Sequence, residues 1–319
     1  MNQLLRRPEV APLVLLILAF FIAAKTSPSF LDASYLLETA TLNTETLLMA
    51  LGMTLVIVSG NIDLSPASNL ALTACIVAKL AAYGLPPALV VASAVVVGAA
   101  LGAVNGALVA YGRLPSFLVT LATLALYRGG AQALTGPESV KLPNVLYGSD
   151  QLLIAKIPMP VVVGLAFVAI VAVVLHRTIF GRWIYAVGLN EGAARFSAVP
   201  VAAVKFWCFT LLGALSGLAA MLLLSRLGVA RYDHAEGQEL DVITAVLLGG
   251  ASLAGGRGTA VGTMLAVALV GVVRAGMGLQ NVEAEKQLAV LGALLVGAAL
   301  ATGGLERLAS WTRLAREDG

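Results

Sequence analysis

Long apolar stretches are the feature that most constrains this chain. Crossing a bilayer as a helix takes about 17 to 25 apolar residues, and roughly ten stretches here approach or reach that length. In 319 residues that are 59% hydrophobic and 12% charged, they hold far more apolar side chain than one soluble core encloses. We therefore predict an all-α polytopic membrane protein, some of its spans short or broken, with 1–319 forming a single transmembrane domain. The stretches lie near 10–30, 40–60, 65–83, 88–110, 116–134, 159–175, 203–224, 241–254, 260–279 and 287–302.

Basic residues near the ends predict the orientation of the chain in its membrane. The apolar run after Arg6 and Arg7 is long and has no clear cleavage site, so we interpret it as a retained helix rather than a signal peptide. An even number of spans places both termini on one side, and positive charge favours the cytoplasm. We expect cytoplasmic termini and a cytoplasmic 176–201 segment. The terminal basic residues are Arg6, Arg7, Arg307, Arg313 and Arg316.

The sequence offers no constellation for catalysis, for a metal or for another cofactor. Cys75 and Cys208 fall inside apolar stretches, where cysteine behaves as a small hydrophobe. His176 and His234 have no metal-ligand spacing around them. The segment "GGASLAGGRGT" (249–259) has arginine where a phosphate-binding loop needs lysine. We therefore expect a protein that is not an enzyme, has no nucleotide-binding domain and binds no nucleic acid.

Many of the 33 glycines recur in pairs or four residues apart. Small residues let helix backbones approach closely in lipid, so dense helix packing is the favoured interpretation. An alternative applies to the glycines of 249–258, which would break a helix and expose its backbone to a water-filled path. Segments 52–72 and 242–265 share a pattern of apolar residues, glycine and small residues, which hints at an internal duplication. The spaced glycines are Gly98, Gly102, Gly106, Gly213, Gly217, Gly258 and Gly262.

Polar residues inside the apolar stretches are candidates for a substrate path. A carboxylate such as Asp63 usually faces protein or a water-filled cavity. The alternative is that Asp63 or Ser65 caps the helix that starts near Pro66. Glu38, Thr41 and Glu45 form one helical stripe, beside Thr39, Asn43 and Thr46, which suits the mouth of a hydrophilic pathway or an interfacial segment. The candidate path residues are Asn43, Glu45, Asp63, Ser65, Asn69, Asn105, Ser252 and Arg274, although each singly is more often a contact between helices.

The 176–201 segment, "HRTIFGRWIYAVGLNEGAARFSAVPV", interrupts the apolar chain with a basic, amphipathic stretch. Trp183 and Tyr185 suit a membrane interface. The motif "NEGAARF" predicts a helical turn with exposed small residues and Arg195 at its end. Exposed small residues on a rigid turn suit docking into a groove on another protein.

Four stretches also carry a resemblance to a known family. They are "GMTLVIVSGNIDLS" (52–65), "NGALVAYGRLPSFLVTLATLALYRG" (105–129), "GRWIYAVGLNEGAARFSAVPVAAVK" (181–205) and "ELDVITAVLLGGASLAGGRGTAVGT" (239–263). In this order they resemble the membrane permeases of bacterial ABC importers for monosaccharides, the ribose, xylose, arabinose and galactoside type. That type includes rhamnose and autoinducer-2 permeases.

The resemblance implies an inner-membrane permease of about ten spans that imports a monosaccharide by alternating access. It implies a cytoplasmic ATPase, a periplasmic sugar-binding protein and a second copy or paralogue of the permease as partners, all within membrane lipid. Residues 188–195 would couple to the ATPase, with Glu191 and Arg195 making polar contacts and the alanines permitting close approach. The expected coupling residues are Gly188, Asn190, Glu191, Ala193, Ala194 and Arg195.

Three departures from the family pattern bear on the substrate. Pro66 stands where a small or β-branched residue is usual, Ala198 where glycine is common, and "RAGMGL" (274–279) where an asparagine-rich version is usual. We expect Arg274 to pair with Glu45 or Asp241, or to meet substrate hydroxyls. "DLSPASNLALTA" and "TLALYRG" favour the rhamnose-like or autoinducer-2-like branch.

Two other functions fit the residues without the resemblance. One is an ion-coupled secondary transporter of a small polar solute, in which Asp63 and Glu45 would be ion sites. The other is a membrane scaffold or receptor subunit without a transport path. The family motifs and the basic 176–201 segment favour the importer permease.

Overall fold

The computed structural model describes residues 9–136, 138–143, 147–283, 285–287, 289–290 and 292–293. Within them, apolar helices make up most of the chain, and two short pairs of strands join loops. Strand β1 (Val140–Lys141) pairs with β4 (Val229–Ala230), and β2 (Leu153–Ile154) pairs with β3 (Ile157–Pro158), both antiparallel. The helices are α1 Val10–Thr26, α2 Ala33–Val58, α3 Pro66–Ala82, α4 Pro87–Ala110, α5 Ser116–Thr135, α6 Met159–Arg177, α7 Ile179–Leu189, α8 Glu191–Phe196, α9 Val201–Leu227, α10 Gln238–Leu248 and α11 Ala260–Leu279.

The helices coincide with nine of the ten apolar stretches. By length and composition, α2, α4, α5, α6, α9 and α11 are long and apolar enough to cross a membrane. The predicted all-α polytopic fold is thus confirmed. The tenth stretch, 287–302, lies mostly outside the described residues.

Two predicted boundaries were wrong. Helix α10 ends at Leu248, so 249–254 are not helical, because Gly249 and Gly250 follow and Gly250 has a φ of +90°. Helix α2 begins at Ala33 rather than near 40. Its polar first turns therefore continue directly into the apolar span.

Local capping explains where several helices begin. The Asp32 side chain accepts from the Ser34 N–H at 3.1 Å at the start of α2, and Thr259 accepts from Gly262 at 3.0 Å at the start of α11. These caps satisfy amide groups that the first turn of a helix leaves without an intrahelical partner. Pro66 occupies the first turn of α3, where its missing N–H costs nothing.

Helices α2, α3 and α9 form the centre of the bundle. All side chains of α2 from Leu48 to Val58 are buried, and they pack chiefly against α9. Helix α4 covers α9 from the other side, α5 lies on α3, and α1 packs against α11. The centre therefore shields the second half of α2 completely from the surroundings of the bundle.

Helices α4 and α9 meet along a glycine seam, formed by Gly98, Gly102 and Gly106 of α4 and Gly213 and Gly217 of α9. A Cβ built on Gly98 would lie 2.3 Å from the Gly213 carbonyl oxygen, and one on Gly213 would lie 2.3 Å from that of Gly98. Real Cβ atoms do not approach so closely, so only glycine allows these backbones to touch. The interpretation of the spaced glycines as packing residues is confirmed here.

The ends of the helices form two faces. The first, named here the α8 face, holds α7, α8 and the loops 59–65, 111–115 and 249–259. The second, named the opposite face, holds the start of α2, the 147–158 segment and the end of α9. On that face the Gly148 N–H donates to the Ser225 carbonyl at 2.8 Å, which fixes the segment to α9. Each face carries a polar cavity.

Candidate functional site

Helices α7 and α8 meet at Asn190, which ends the first and caps the second. Its side-chain oxygen accepts from the Ala193 N–H at 2.9 Å. The "NEGAARF" motif thus folds as the predicted helical turn. After α8 the chain turns at Ala198, whose φ is +59°. A left-handed backbone favours glycine, which explains why glycine suits this position.

Charged side chains hold α8 against the start of α9. The Glu191 carboxylate accepts from Arg195 at 2.9 Å and from Lys205 at 2.7 Å. The hydrogen bond from Lys205 is the main cause of the lowered pKa of Glu191, so this carboxylate stays ionised at neutral pH. The Glu191 and Arg195 side chains are 42% and 64% exposed, so solvent screens the pair and its contribution to stability is small.

The exposure of the small residues on α8 differs from the prediction. Gly192 and Ala193 are exposed as expected, but Ala194 is only 4% exposed and packs inward, so it is not available for contact with a partner. The side chain that stands out instead is Phe196, which is 96% exposed. Sequence reasoning missed Phe196, although an aromatic residue at the end of a short capped helix was a usable signal.

A groove of about 1010 Å³ lies beside α8. It carries three cationic side chains against the single carboxylate of Glu191, so its walls are predominantly basic. Tyr111, Leu114 and Phe117 add apolar surface. The cationic residues are Arg113, Arg195 and Lys205.

Four glycines behind α8 form what we name the glycine junction: Gly60, Gly188, Gly255 and Gly256. A Cβ on Gly188 would lie 1.8 Å from the Val58 carbonyl oxygen and 2.5 Å from the Gly256 nitrogen. The Gly256 N–H donates to the Val58 carbonyl at 2.8 Å. Gly188, expected among the docking residues, therefore contacts the end of α2 and the 249–259 loop of its own chain.

The junction also joins the two segments with the shared pattern. The 59–65 and 249–259 loops follow α2 and α10 and meet at Gly60 and Gly255. Nearby, the hydroxyls of Thr54 and Thr263 lie 2.7 Å apart and are buried. The Tyr185 hydroxyl donates to the Gly258 carbonyl at 2.7 Å, which ties α7 to the second loop.

Asp63, Ser65 and Asn105 come together in a buried cluster. Asp63 Oδ1 accepts from the backbone N–H and the hydroxyl of Ser65, each at 2.7 Å, and Asn105 Nδ2 donates to Ser65 Oγ at 2.8 Å. The Ser65 side chain makes no capping bond to α3, so Asp63 fixes the turn before that helix instead. All three residues are at most 2% exposed, and none lines the two cavities described here.

Three other candidates use their side chains in local contacts. Asn69 donates to the Gly98 carbonyl at 3.1 Å and joins α3 to α4. Asn43 donates to the Thr39 carbonyl at 2.7 Å and packs against Gly271 of α11. The Ser252 hydroxyl accepts from the Ala254 N–H at 3.3 Å within the 249–259 loop. These bonds give each residue a structural role.

Two ion pairs occupy the opposite half of the bundle. Arg226 of α9 grips Glu45 with three hydrogen bonds of 2.9 to 3.1 Å, and the Glu45 side chain is 5% exposed. Arg274 donates to both carboxylate oxygens of Asp241 at 2.8 and 2.7 Å. Of the two partners considered for Arg274, the structure selects Asp241 and gives Glu45 to Arg226.

A cavity of about 370 Å³ opens at the opposite face. Glu38 and Thr41 from the predicted polar stripe of α2 line it, together with Asp150 and Arg226. Among the described residues, no group of three or more His, Cys, Asp or Glu residues could hold a metal ion.

A bundle of apolar helices with a polar cavity at each end is the architecture of a membrane transport protein. The family model described as "Branched-chain amino acid transport system / permease component" matches residues 35–299. The chain belongs to this family and is a transport subunit. The resemblance to importer permeases in the four sequence stretches is thereby confirmed.

Several relatives span nearly the whole chain. The ribose import permease protein RbsC of Escherichia coli strain K12 is 36% identical over 300 residues, covering 92% of each chain. RbsC of Bacillus subtilis strain 168 is 37% identical over 295 residues, again covering 92% of each. The autoinducer 2 import system permease protein LsrD of Photorhabdus laumondii is 35% identical over 295 residues, covering 90% of this chain and 89% of its own. No solved structure matches the chain.

Proposed function

We propose that this chain is the permease of an ATP-driven importer and carries a monosaccharide or a related small polyol into the cytoplasm. The observation that carries this proposal is the full-length similarity to ribose and autoinducer 2 import permeases. The family description names amino acids, but these three relatives import ribose or autoinducer 2. Polar cavities at both faces support a small, hydrophilic cargo.

The proposed orientation places the α8 face in the cytoplasm and the opposite face in the periplasm of a bacterial inner membrane. Basic residues of the α8 face support it, since positive charge favours the cytoplasmic side. A cytoplasmic ATPase, a periplasmic binding protein and a second permease, identical or paralogous, complete the proposed transporter. Arg113, Arg177, Arg182, Arg195 and Lys205 lie in or beside this face.

Phe196 and the basic groove are the proposed docking surface for the ATPase. An aromatic side chain that is 96% exposed at the end of a capped helix is a suitable anchor, since aromatic residues dominate binding energy when a partner covers them. Glu191 holds Arg195 and Lys205 beside it. Gly192 and Ala193 leave space for close approach around the anchor.

In the proposed mechanism the chain performs no chemistry. Closure of the ATPases moves α8, and the glycine junction passes that motion to the end of α2 and to the 249–259 loop. The seam keeps α4 and α9 together, so the helices move as rigid bodies about a central path. The solute is thereby exposed first to one side of the membrane and then to the other.

Uptake by reconstituted proteoliposomes tests the proposal. Vesicles would hold this chain, its candidate ATPase and its binding protein, and labelled ribose, xylose, rhamnose, galactose, an autoinducer 2 mimic and leucine would be offered. We expect uptake of one of the sugars or of the mimic, and only with ATP and all components. Uptake that ignores ATP and follows an ion gradient would overturn the proposal in favour of a secondary transporter.

The docking surface has its own test. Phe196→Ala removes the proposed anchor, so we expect affinity for the ATPase to fall about thirtyfold, a loss of roughly 2 kcal/mol. Leu253→Ala is the matched control, because Leu253 is an exposed apolar residue (53%) on the same face. Equal affinity of the two variants, measured by interferometry on nanodiscs, would show that α8 does not dock through Phe196.

A further inference from the structure

The cavity at the opposite face has the size and lining of a ligand site. Its volume of about 370 Å³ lies at the lower end of the range usual for small-molecule pockets. One wall is the first half of α2, another is the 149–158 segment, and the end of α9 closes it. The polar lining residues are Ser34, Glu38, Thr41, Asp150, Gln151 and Arg226.

Asp150 is the feature that points to a ligand. Its side chain lines the cavity, the residue is only 9% exposed, and its Oδ1 has no hydrogen-bond partner among the residues that the structure describes. A buried carboxylate oxygen without a donor is costly, so such an atom in a native protein calls for an explanation. A ligand hydroxyl at this oxygen would remove the cost.

The rest of the lining restricts the charge of that ligand. Arg226 is already neutralised by Glu45, through hydrogen bonds from its Nε and Nη2. Glu38 and Asp150 then leave the cavity with an excess of negative charge. An anion would be repelled, and the carboxylate of a free amino acid would find no uncompensated cation here.

The hydrogen-bonding capacity of the lining indicates the chemical class. Carboxylates accept but do not donate when ionised, and the Thr41 hydroxyl already donates to the Leu37 carbonyl at 2.9 Å. A ligand must therefore bring several donors of its own. We propose that this cavity binds a neutral polyhydroxylated molecule of monosaccharide size, with a hydroxyl donating to Asp150 Oδ1. As an entry site for the transported solute, this inference rests on the proposed function.

Direct binding to the full chain in nanodiscs is the first test. Equilibrium dialysis would use labelled ribose, xylose, rhamnose and galactose, with leucine and Ca²⁺ as alternative ligands. We expect a sugar to bind, and Asp150→Asn to weaken it about tenfold because the substituted amide presents fewer acceptor sites. Asp233→Asn is the matched control, since Asp233 lies in the 228–237 loop and pairs with Arg231 outside this cavity. We expect unchanged binding in that control.

A second variant covers the case in which Asp150→Asn fails to fold. Thr41→Val keeps the side-chain shape and removes an oxygen from the cavity wall, so we expect severalfold weaker sugar binding. The inference is overturned if no sugar binds, if leucine or Ca²⁺ binds instead, or if a folded variant of either residue binds sugar as tightly as the unchanged chain.

Uptake separates this inference from the proposed function. If the complete transporter imports sugar and folded Asp150→Asn imports it equally well at low sugar concentration, the cavity is not on the route and the importer proposal stands. If the complete unchanged transporter imports nothing, the importer proposal fails. In that case the dialysis result still decides whether the cavity binds sugar.

Discussion

The glycine seam and the glycine junction use the same residue for different purposes. In the seam, α4 and α9 lie in backbone contact from Gly98 to Gly106 and from Gly213 to Gly217, over two turns of regular helix. In the junction, single glycines at a helix end and in two loops meet around the Val58 carbonyl, and Gly60, Gly255 and Gly256 have positive φ. Both arrangements exclude a side chain.

The difference teaches where the molecule is one body and where it joins separate parts. Helices in contact over many residues resist relative motion, because every contact must change at once. The junction depends on few contacts and one short hydrogen bond from Gly256 to Val58. Damage to the seam should therefore reduce stability, and damage to the junction should reduce the coupling of α8 to the bundle.

The largest expected effect is a side chain placed in the seam. In Gly98→Val the new Cβ would lie 2.3 Å from the Gly213 carbonyl oxygen, so α4 and α9 must separate. We expect a loss of about 3 kcal/mol or more, seen as aggregation or early thermal unfolding in detergent. Gly129→Ala is the control, because Gly129 lies in α5 with nothing within 4 Å of its Cβ position. A stable Gly98→Val variant would show that the seam is not a fixed contact.

The seam and the helices were predictable from the sequence because their signals are local. Apolar length predicted nine helices, and glycine spacing of four in α4 and α9 predicted close contact. The end of α10 at Leu248 was not predicted, because an apolar stretch does not show where the backbone turns. The strand pair β1 and β4 was not predicted either, since it joins loops almost 90 residues apart.

A change in the junction should separate stability from function. In Gly188→Ala the new methyl group would clash with the Val58 carbonyl, and the loops around it can shift to relieve the clash. We expect the variant to stay folded and bind the ATPase, and uptake per ATP hydrolysed to fall roughly tenfold. Gly192→Ala on α8 is the control, because its nearest neighbour would be the Asn190 side chain at 3.3 Å. Unchanged uptake per ATP in Gly188→Ala would remove the junction from the coupling route.

The smallest effect is a gain in stability at the turn after α8. Ala198 has a φ of +59°, a backbone conformation that costs a residue with a side chain about 1 kcal/mol relative to glycine. We expect Ala198→Gly to raise the melting temperature slightly and to leave uptake unchanged. A lower melting temperature would mean that greater freedom of the unfolded chain outweighs the relief of strain.

The candidate sites were less predictable than the fold. Sequence spacing placed Glu38, Thr41 and Glu45 on one stripe of α2, and the structure shows Glu38 and Thr41 at the cavity. The pairing of Glu45 with Arg226 depends on a contact between residues 181 positions apart, which no local pattern shows. The burial of Ala194 and the exposure of Phe196 depend on how α8 lies against α9, so sequence reasoning treated the alanines alike.

The most direct test of the account is whether ATP at the α8 face changes access to the opposite face. Thr41 would be replaced by cysteine in a chain lacking Cys75 and Cys208. A membrane-impermeant thiol reagent would then be added outside vesicles that hold the complete transporter. We predict that the labelling rate of position 41 differs clearly between nucleotide-free and ATP-bound states. Equal labelling in both states, in vesicles that import sugar, would contradict alternating access through this cavity.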